Sequence, residues 1–206
     1  MSKLKIVIGS TRPTRAADRV APWVIGHAER HAGFEVEVLD LRAWELPVFQ
    51  EHFGTIGDFS DPTYSDPVVR RWNQTMSSAD ALLVVTPEYL HSVPGVLKNA
   101  LDSVYMSFAL RNKPMAAVGY SAGQGGGVRA LEHLAHIVIE SEMVPLRNTV
   151  IIPNVEQAFG EDGSPVDGMT DTALQVLLDD LAWWSDLLAR GRAAGELPPG
   201  VVRLYA

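Results

Sequence analysis

Short apolar runs and amphipathic segments alternate along the whole chain. The short runs predict strands, and the segments in which apolar residues recur every three or four positions predict helices. This alternation is typical of a parallel sheet with helices on both faces. The predicted strands comprise residues 4–9, 34–40, 81–85, 115–120 and about 146–152. Predicted helices end near His31, span residues 68–78, and begin near Gly95, Val128 and Thr170 or Asp171.

The second predicted strand differs from its neighbours and suggests the strand order. It alternates Phe34, Val36 and Val38 with Glu35 and Glu37, whereas the first, third and fourth are continuous apolar runs. A strand covered on both faces is apolar throughout, so the alternating strand is expected at an edge. This favours a flavodoxin-like three-layer α/β sandwich with a five-stranded parallel sheet of order 2-1-3-4-5. The Rossmann order, which places strand 2 inside the sheet, fits less well.

The remaining segments complete the predicted domain. Residues 1–192 are expected to form one domain, and residues 193–206 an irregular tail. Residues 46–67 contain five prolines and glycines without a sustained period, which predicts a long surface loop at an active-site rim or a subunit interface. Pro22 predicts that the first helix either begins late or is distorted in its second turn.

Composition narrows the possible chemistry. The 206 residues include no cysteine, which excludes disulfides, thiolate zinc sites and cysteine nucleophiles. A net charge of -8 disfavours nucleic acid as a partner. The apolar runs are too short for a bilayer span or a signal peptide, so we expect a soluble cytoplasmic protein without a membrane partner. His27, His31 and His52 lack a matching carboxylate spacing for a metal site, and no metal is expected.

The loop after the first strand combines hydroxyls and cations just before a helix. Ser10, Thr11 and Thr14 are interleaved with Arg12 and Arg15. Together with exposed N–H groups and the positive end of the helix dipole, these side chains favour binding of a compact phosphate over a merely solvated turn. The loop lacks a G-x-G-x-x-G pattern, and the chain contains no Gly-Lys-Ser/Thr. A dinucleotide fingerprint and a P-loop are therefore disfavoured.

The loops after the third and fourth strands are the other candidate walls. Residues 86–92 include Glu88, Tyr89 and His91, which could border a planar heteroaromatic ring. Residues 119–123 read G-x-S-x-G, which also suggests the nucleophile elbow of a serine hydrolase centred on Ser121. The only later histidines, His133 and His136, lie on the immediately following helix, which disfavours a Ser-Asp-His triad.

These loops resemble the NAD(P)H-dependent FMN reductase family, which includes flavodoxin-like quinone, azo-dye and chromate reductases. The resemblance extends from about Lys5 to Val150, and its motifs are residues 9–13, 86–89 and 92–102. It implies that Ser10, Arg12 and Arg15 surround the FMN phosphate. It also implies that the flavin ring and ribityl chain are bordered by Pro87, Glu88, Tyr89, Leu90, His91, Ser121 and Gly123. Leu90 replaces the family's usual asparagine, and Thr14 replaces a frequent glycine.

The resemblance implies an FMN-dependent oxidoreductase. NADPH or NADH would deliver hydride to the flavin N5, and a quinone, free flavin or another small acceptor would then be reduced. No catalytic side chain is expected, because the flavin carries the chemistry. The family commonly forms homodimers or homotetramers. A noncatalytic flavodoxin-type electron carrier remains an alternative, and a serine hydrolase using Ser121 is a weaker one.

Overall fold

The strands and helices follow the predicted alternation. The computed structural model describes residues 1–58 and 62–204. Its strands are β1 (Ser2–Ile8), β2 (Phe34–Asp40), β3 (Ala81–Pro87), β4 (Pro114–Tyr120), β5 (Val144–Pro145) and β6 (Val150–Ile152). Its helices are α1 (Ala17–Arg30), α2 (Leu41–Trp44), α3 (Pro67–Ser77), α4 (Gly95–Tyr105), α5 (Val128–Glu140), α6 (Gly168–Ala194) and α7 (Gly200–Leu204).

The sheet is parallel with the order β2-β1-β3-β4-β5, and β6 also pairs with β4. The predicted flavodoxin-like order is therefore confirmed, with β2 at one edge. In the β1–β2 register Ile8 lies opposite Asp40, so the carboxyl ends of these strands are level. This alignment brings the loop after β1 next to the end of β2.

Two hydrophobic cores cover the two faces of the sheet. One lies under α1 and α6 and includes Leu83 of β3. The other lies under α3, α4 and α5 and includes Leu82 together with the fully buried Trp72. Alternate residues of a strand point to opposite faces, so burial on both sides explains the continuous apolar run of β3.

Several elements differ from the sequence-based expectation. Two short segments, β5 and β6, replace the single fifth strand, and the four-residue helix α2 was not predicted. Asp167, rather than Thr170 or Asp171, caps α6 by accepting from the Met169 N–H. The first helix begins at Ala17, which leaves Pro22 inside it. Residues 200–204 are helical rather than irregular, while residues 59–61 of the predicted loop and 205–206 of the tail lie outside the described residues.

None of the helices in the described part of the chain combines the length and apolar character needed to cross a membrane.

Candidate active site

Three loops meet at the carboxyl edge of the sheet because the strands that precede them are neighbours. β1, β3 and β4 lie side by side, and the β3–β4 register places Pro87 beside Tyr120. The loops comprise residues 9–16, 88–94 and 121–127. This edge is where open parallel sheets bind their ligands. The sequence-predicted site residues all lie in these loops or, for Pro87, at the end of β3.

Side chains join the first loop to the second. Ser10 is fully buried, and its Oγ lies 2.8 Å from the Tyr89 hydroxyl. The Arg12 guanidinium carbon lies 3.6 Å from the Tyr89 ring centroid, which is a cation–π contact. Arg12 forms no ion pair with any described residue. The structure thus brings three predicted residues together and leaves the charge of Arg12 without an acidic partner in the described part of the chain.

Free backbone donors line the first and third loops. Among the described residues, no acceptor is found for the N–H groups of Ser10, Thr11, Arg12 and Thr14. The N–H groups of Ala122 and Gly123 are likewise without a described acceptor. Donors held open at the start of a helix suit an anion, and donors near a flat surface suit ring oxygens and nitrogens.

Arg15 is committed to partners within the protein. Its side chain is buried, and Nη1 and Nη2 donate to the two carboxylate oxygens of Asp40 at 2.6 and 2.5 Å. Nε donates to Asp18 at 2.8 Å, and Nη1 also reaches the Ser10 carbonyl oxygen at 2.5 Å. This arrangement departs from the expectation that Arg15 surrounds a phosphate alongside Arg12, because the carboxylate at the end of β2 takes both of its terminal nitrogens.

The second loop contains a strained turn. The N–H of Tyr89 donates to the carbonyl of Ser92 at 2.8 Å, and the reverse bond measures 3.0 Å. The two residues between them, Leu90 and His91, have φ values of 50° and 62°, in the left-handed region that side chains disfavour. Leu90 is fully exposed. The turn therefore holds an apolar side chain in solvent at the edge of the site.

Glu88 anchors this loop to α5. One carboxylate oxygen lies 2.6 Å from Nη2 of Arg129, and the other accepts from the Arg129 backbone N–H at 3.2 Å. Only 6% of the Glu88 side chain is exposed. A second tie joins Ser92 to His133, with 3.0 Å between Oγ and Nδ1. The Glu88 carboxylate thus holds the loop in place rather than facing an open site.

The third loop places Ser121 and Gly123 together, but without a catalytic base. The Ser121 hydroxyl donates to the carbonyl of Gly123 at 2.9 Å. His133 bonds to Ser92 instead. A hydrolase nucleophile needs a base within hydrogen-bond reach. The geometry therefore gives Ser121 no activating partner among the described residues. A Cβ added at Gly123 would meet nothing within 4 Å, so its backbone faces open space.

Tyr120 is a site residue that sequence reasoning did not single out. It is buried, and its hydroxyl has no hydrogen-bond partner among the described residues. Burial raises the pKa of this phenol, which therefore stays neutral. The neighbouring Tyr89 raises the pKa as well, whereas Ser10 lowers it. Because Tyr120 ends an apolar strand, the sequence pattern assigned it to the core. Sequence reasoning also missed Asp40 and Arg129, because their partners Arg15 and Glu88 lie 25 and 41 residues away along the chain.

The sequence profile of the NADPH-dependent FMN reductase family matches residues 2–157. The chain belongs to this family. It is 33% identical over 155 residues to an NAD(P)H-dependent FMN reductase of Pseudomonas aeruginosa, a match covering 74% of this chain and 79% of the relative. It is 30% identical over 186 residues to a 2-hydroxy-1,4-benzoquinone reductase of a Burkholderia species, covering 88% and 95%.

A solved structure supports the same assignment. The flavoenzyme NAD(P)H:(acceptor) oxidoreductase FerB of Paracoccus denitrificans superimposes with a TM-score of 0.72 at 26% identity, covering 90% of this chain and 98% of that one. As a member of the FMN reductase family, the chain is an oxidoreductase that uses FMN and NAD(P)H. The carrier and hydrolase alternatives are not favoured.

The three loops fit FMN by their own chemistry. A phosphate is stabilised by several hydrogen-bond donors and by a nearby cation, which the open N–H groups of the first loop and Arg12 provide. A planar ring needs a close, flat approach to the backbone, which Gly123 permits.

Proposed function

We propose that this FMN reductase transfers electrons from NAD(P)H to quinones or free flavin, with FMN held across the three loops. The observation that carries the proposal is the combination of open backbone donors in the first and third loops with one cation, Arg12, that no described carboxylate neutralises. When bound, FMN would supply the two-electron redox chemistry that couples oxidation of the nicotinamide to reduction of the acceptor.

The protein's part in this chemistry is binding and orientation. Arg12 and the N–H groups of the first loop would hold the phosphate, and Ala122 and Gly123 would donate to the polar edge of the ring. Pro87, Tyr89, Leu90 and His91 would border the ring and the ribityl chain. Glu88 supports that wall through Arg129. Since no described side chain forms an acid–base dyad in the loops, none is assigned a proton-transfer step.

The test is an absorbance spectrum of the purified protein reconstituted with FMN, followed by anaerobic addition of NADPH or NADH. We expect at least one of the two donors to bleach the visible flavin band. The band should return when a benzoquinone is added. A protein that binds FMN but is not bleached within minutes would be an electron carrier and would contradict the proposal. Hydrolysis of a chromogenic ester serves as the control, because a serine hydrolase would cleave it without FMN whereas a flavin reductase would not.

We also propose that the chain works as a homodimer or homotetramer in the cytoplasm, where its nicotinamide donor is available. Val48 and Val96 are exposed and line an open, largely aliphatic cavity of about 440 Å³ beside Thr11 and Arg42. A second copy covering this cavity would lie next to the first loop. Light scattering of the wild type and of Val96→Asp tests this, and a monomeric wild type would contradict it.

A further inference from the structure

Arg15 has more hydrogen-bond partners than the other described side chains of the first loop. These partners indicate that Arg15 and Arg12 have different roles. We infer that Arg15 and Asp40 are positioning residues, which shape the loop so that Arg12 alone contributes charge to the phosphate of the flavin. This inference rests on the proposed function, because it assumes that the first loop holds the FMN phosphate.

The Arg15 guanidinium has almost no donor left for a ligand. An arginine carries five N–H groups. Asp40 takes two of them in a bidentate pair, Asp18 takes a third, and the Ser10 carbonyl lies 2.5 Å from Nη1. The carboxylate of Asp40 also raises the pKa of Arg15, which is charged at all relevant pH values. A phosphate oxygen would therefore have to displace carboxylates to reach it.

Asp40 connects the loop to the end of β2. It is the last residue of that strand, lies opposite Ile8 in the β1–β2 register, and accepts from the Arg42 N–H at 3.0 Å to cap α2. The bond with Arg15 is the main reason why the pKa of Asp40 lies below its ordinary value. One carboxylate thus fixes α2 and, through Arg15, the backbone of Ser10.

Among the described charged residues around the loop, one cation has no carboxylate partner. Arg42 lies 3.5 Å from Asp18 and donates to the Arg12 carbonyl at 2.6 Å. Arg15 is neutralised by Asp18 and Asp40. Arg12, whose guanidinium lies over Tyr89, is exposed and faces no described carboxylate. A dianionic group at this edge would therefore be compensated by Arg12.

Removing the negative charge of Asp40 distinguishes two possible roles of Arg15, because they predict opposite changes in FMN affinity. If Arg15 contacted the phosphate, Asp40→Asn would free a competing cation and tighten FMN binding. If Arg15 positions the loop, the same substitution releases the Ser10 carbonyl and the loop loses its shape. We expect FMN binding to weaken about tenfold, the loss that corresponds to one charge-assisted hydrogen bond.

The experiment compares FMN with riboflavin, which has the same ring but no phosphate. Dissociation constants are measured on apoprotein by quenching of flavin fluorescence, which requires no turnover. We expect Arg12→Ala to weaken FMN binding by about 10- to 100-fold and riboflavin binding little. Asp40→Asn is expected to reduce the preference for FMN in the same direction. Asp18→Asn is the matched control, with a smaller effect because Asp18 is half-exposed and binds only Nε of Arg15.

Each outcome decides the inference. Tighter FMN binding by Asp40→Asn, or an equal loss for both flavins, would overturn it, since the latter would indicate only general unfolding. Arg15→Lys keeps the cation but loses the bidentate pair with Asp40, so it is used if the asparagine variant does not fold, and a retained wild-type preference for FMN would also overturn the inference. A wild-type protein that binds neither flavin would instead contradict the proposed function itself.

Discussion

Leu90 and His91 hold backbone angles that cost free energy in almost any residue except glycine or asparagine. Two consecutive positive φ values between Tyr89 and Ser92 form the kind of two-residue turn that usually contains Asn-Gly. The cost is on the order of 1 kcal/mol for each residue. The turn persists because Glu88 and Ser92 on either side are tied to α5.

Replacing His91 with glycine is therefore expected to stabilise the fold. We expect His91→Gly to raise the free energy of unfolding by about 0.5 to 1 kcal/mol, because glycine adopts a φ near 62° without strain. Urea denaturation followed by circular dichroism measures the change. Lys98→Gly, in the exposed first turns of α4, should lower the free energy of unfolding by a similar amount. A loss of stability for both variants would show that the turn is not strained.

At this scale the residue types of the site could be predicted from the sequence, but their partners could not. The cluster of hydroxyls and arginines after β1 predicted a phosphate site, and the structure brings Ser10 and Arg12 of this loop against Tyr89. The same pattern could not reveal that Arg15 is bound to Asp40, because that contact depends on the β1–β2 register across 25 residues. Local spacing carries no information about such a pair.

The glycine run before α5 serves two separate purposes. Gly127 has a φ of 94°, and a Cβ there would lie 2.6 Å from the Tyr120 nitrogen and 2.8 Å from the Gly119 carbonyl carbon. This glycine lets α5 pack closely against the end of β4. Gly123, by contrast, has no such neighbour within 4 Å. One glycine is required by packing, and the other leaves room for a ligand.

A pair of alanine substitutions tests this separation. Gly127→Ala is expected to lower the free energy of unfolding by about 3 kcal/mol or more, since it combines strain at positive φ with a backbone clash. Gly123→Ala should change stability by less than about 0.5 kcal/mol and weaken flavin binding. Thermal denaturation of the apoproteins and FMN titration measure the two effects. Equal destabilisation by both substitutions would contradict the assignment.

The strands and helices could be predicted from the sequence where the apolar pattern is continuous or repeats over many residues. β3 is apolar on both faces, and the helices of ten or more residues show a clear periodicity. The helix α2 has only four residues, too few for a period to be recognised. The fifth strand was predicted as one piece because its apolar residues do not show where pairing with β4 is interrupted, between Pro145 and Val150.

The two edges of the sheet carry different kinds of polar group. The carboxyl edge holds the open donors of the site. At the amino edge, just before β4, Lys113 is 7% exposed and its Nζ donates to the Ser77 carbonyl at 2.7 Å. Burial, together with the nearby charge of Arg192, lowers the pKa of Lys113 to about 8. A buried ammonium of this kind destabilises the fold while it remains charged.

The pH dependence of stability follows from this shift. Below pH about 8 the lysine is protonated in both states, and the full cost of burying the charge is present. Between about 8 and 10 the folded state has released the proton while the unfolded state still binds it, so stability rises with pH. We expect a gain on the order of 2 kcal/mol relative to Lys113→Met, measured by urea denaturation across this range. Parallel curves for the two proteins would contradict the prediction.

The three loops lie close in space but follow strands that begin at Ser2, Ala81 and Pro114. A ligand that touches all of them is bound only when β1, β3 and β4 have assembled, and it is lost when any one of them separates. If FMN is held across the three loops as proposed, its binding would stabilise the whole sheet by mass action. In a cell, the supply of FMN would consequently govern how long each copy survives proteolysis, and riboflavin starvation would deplete the enzyme itself as well as its activity.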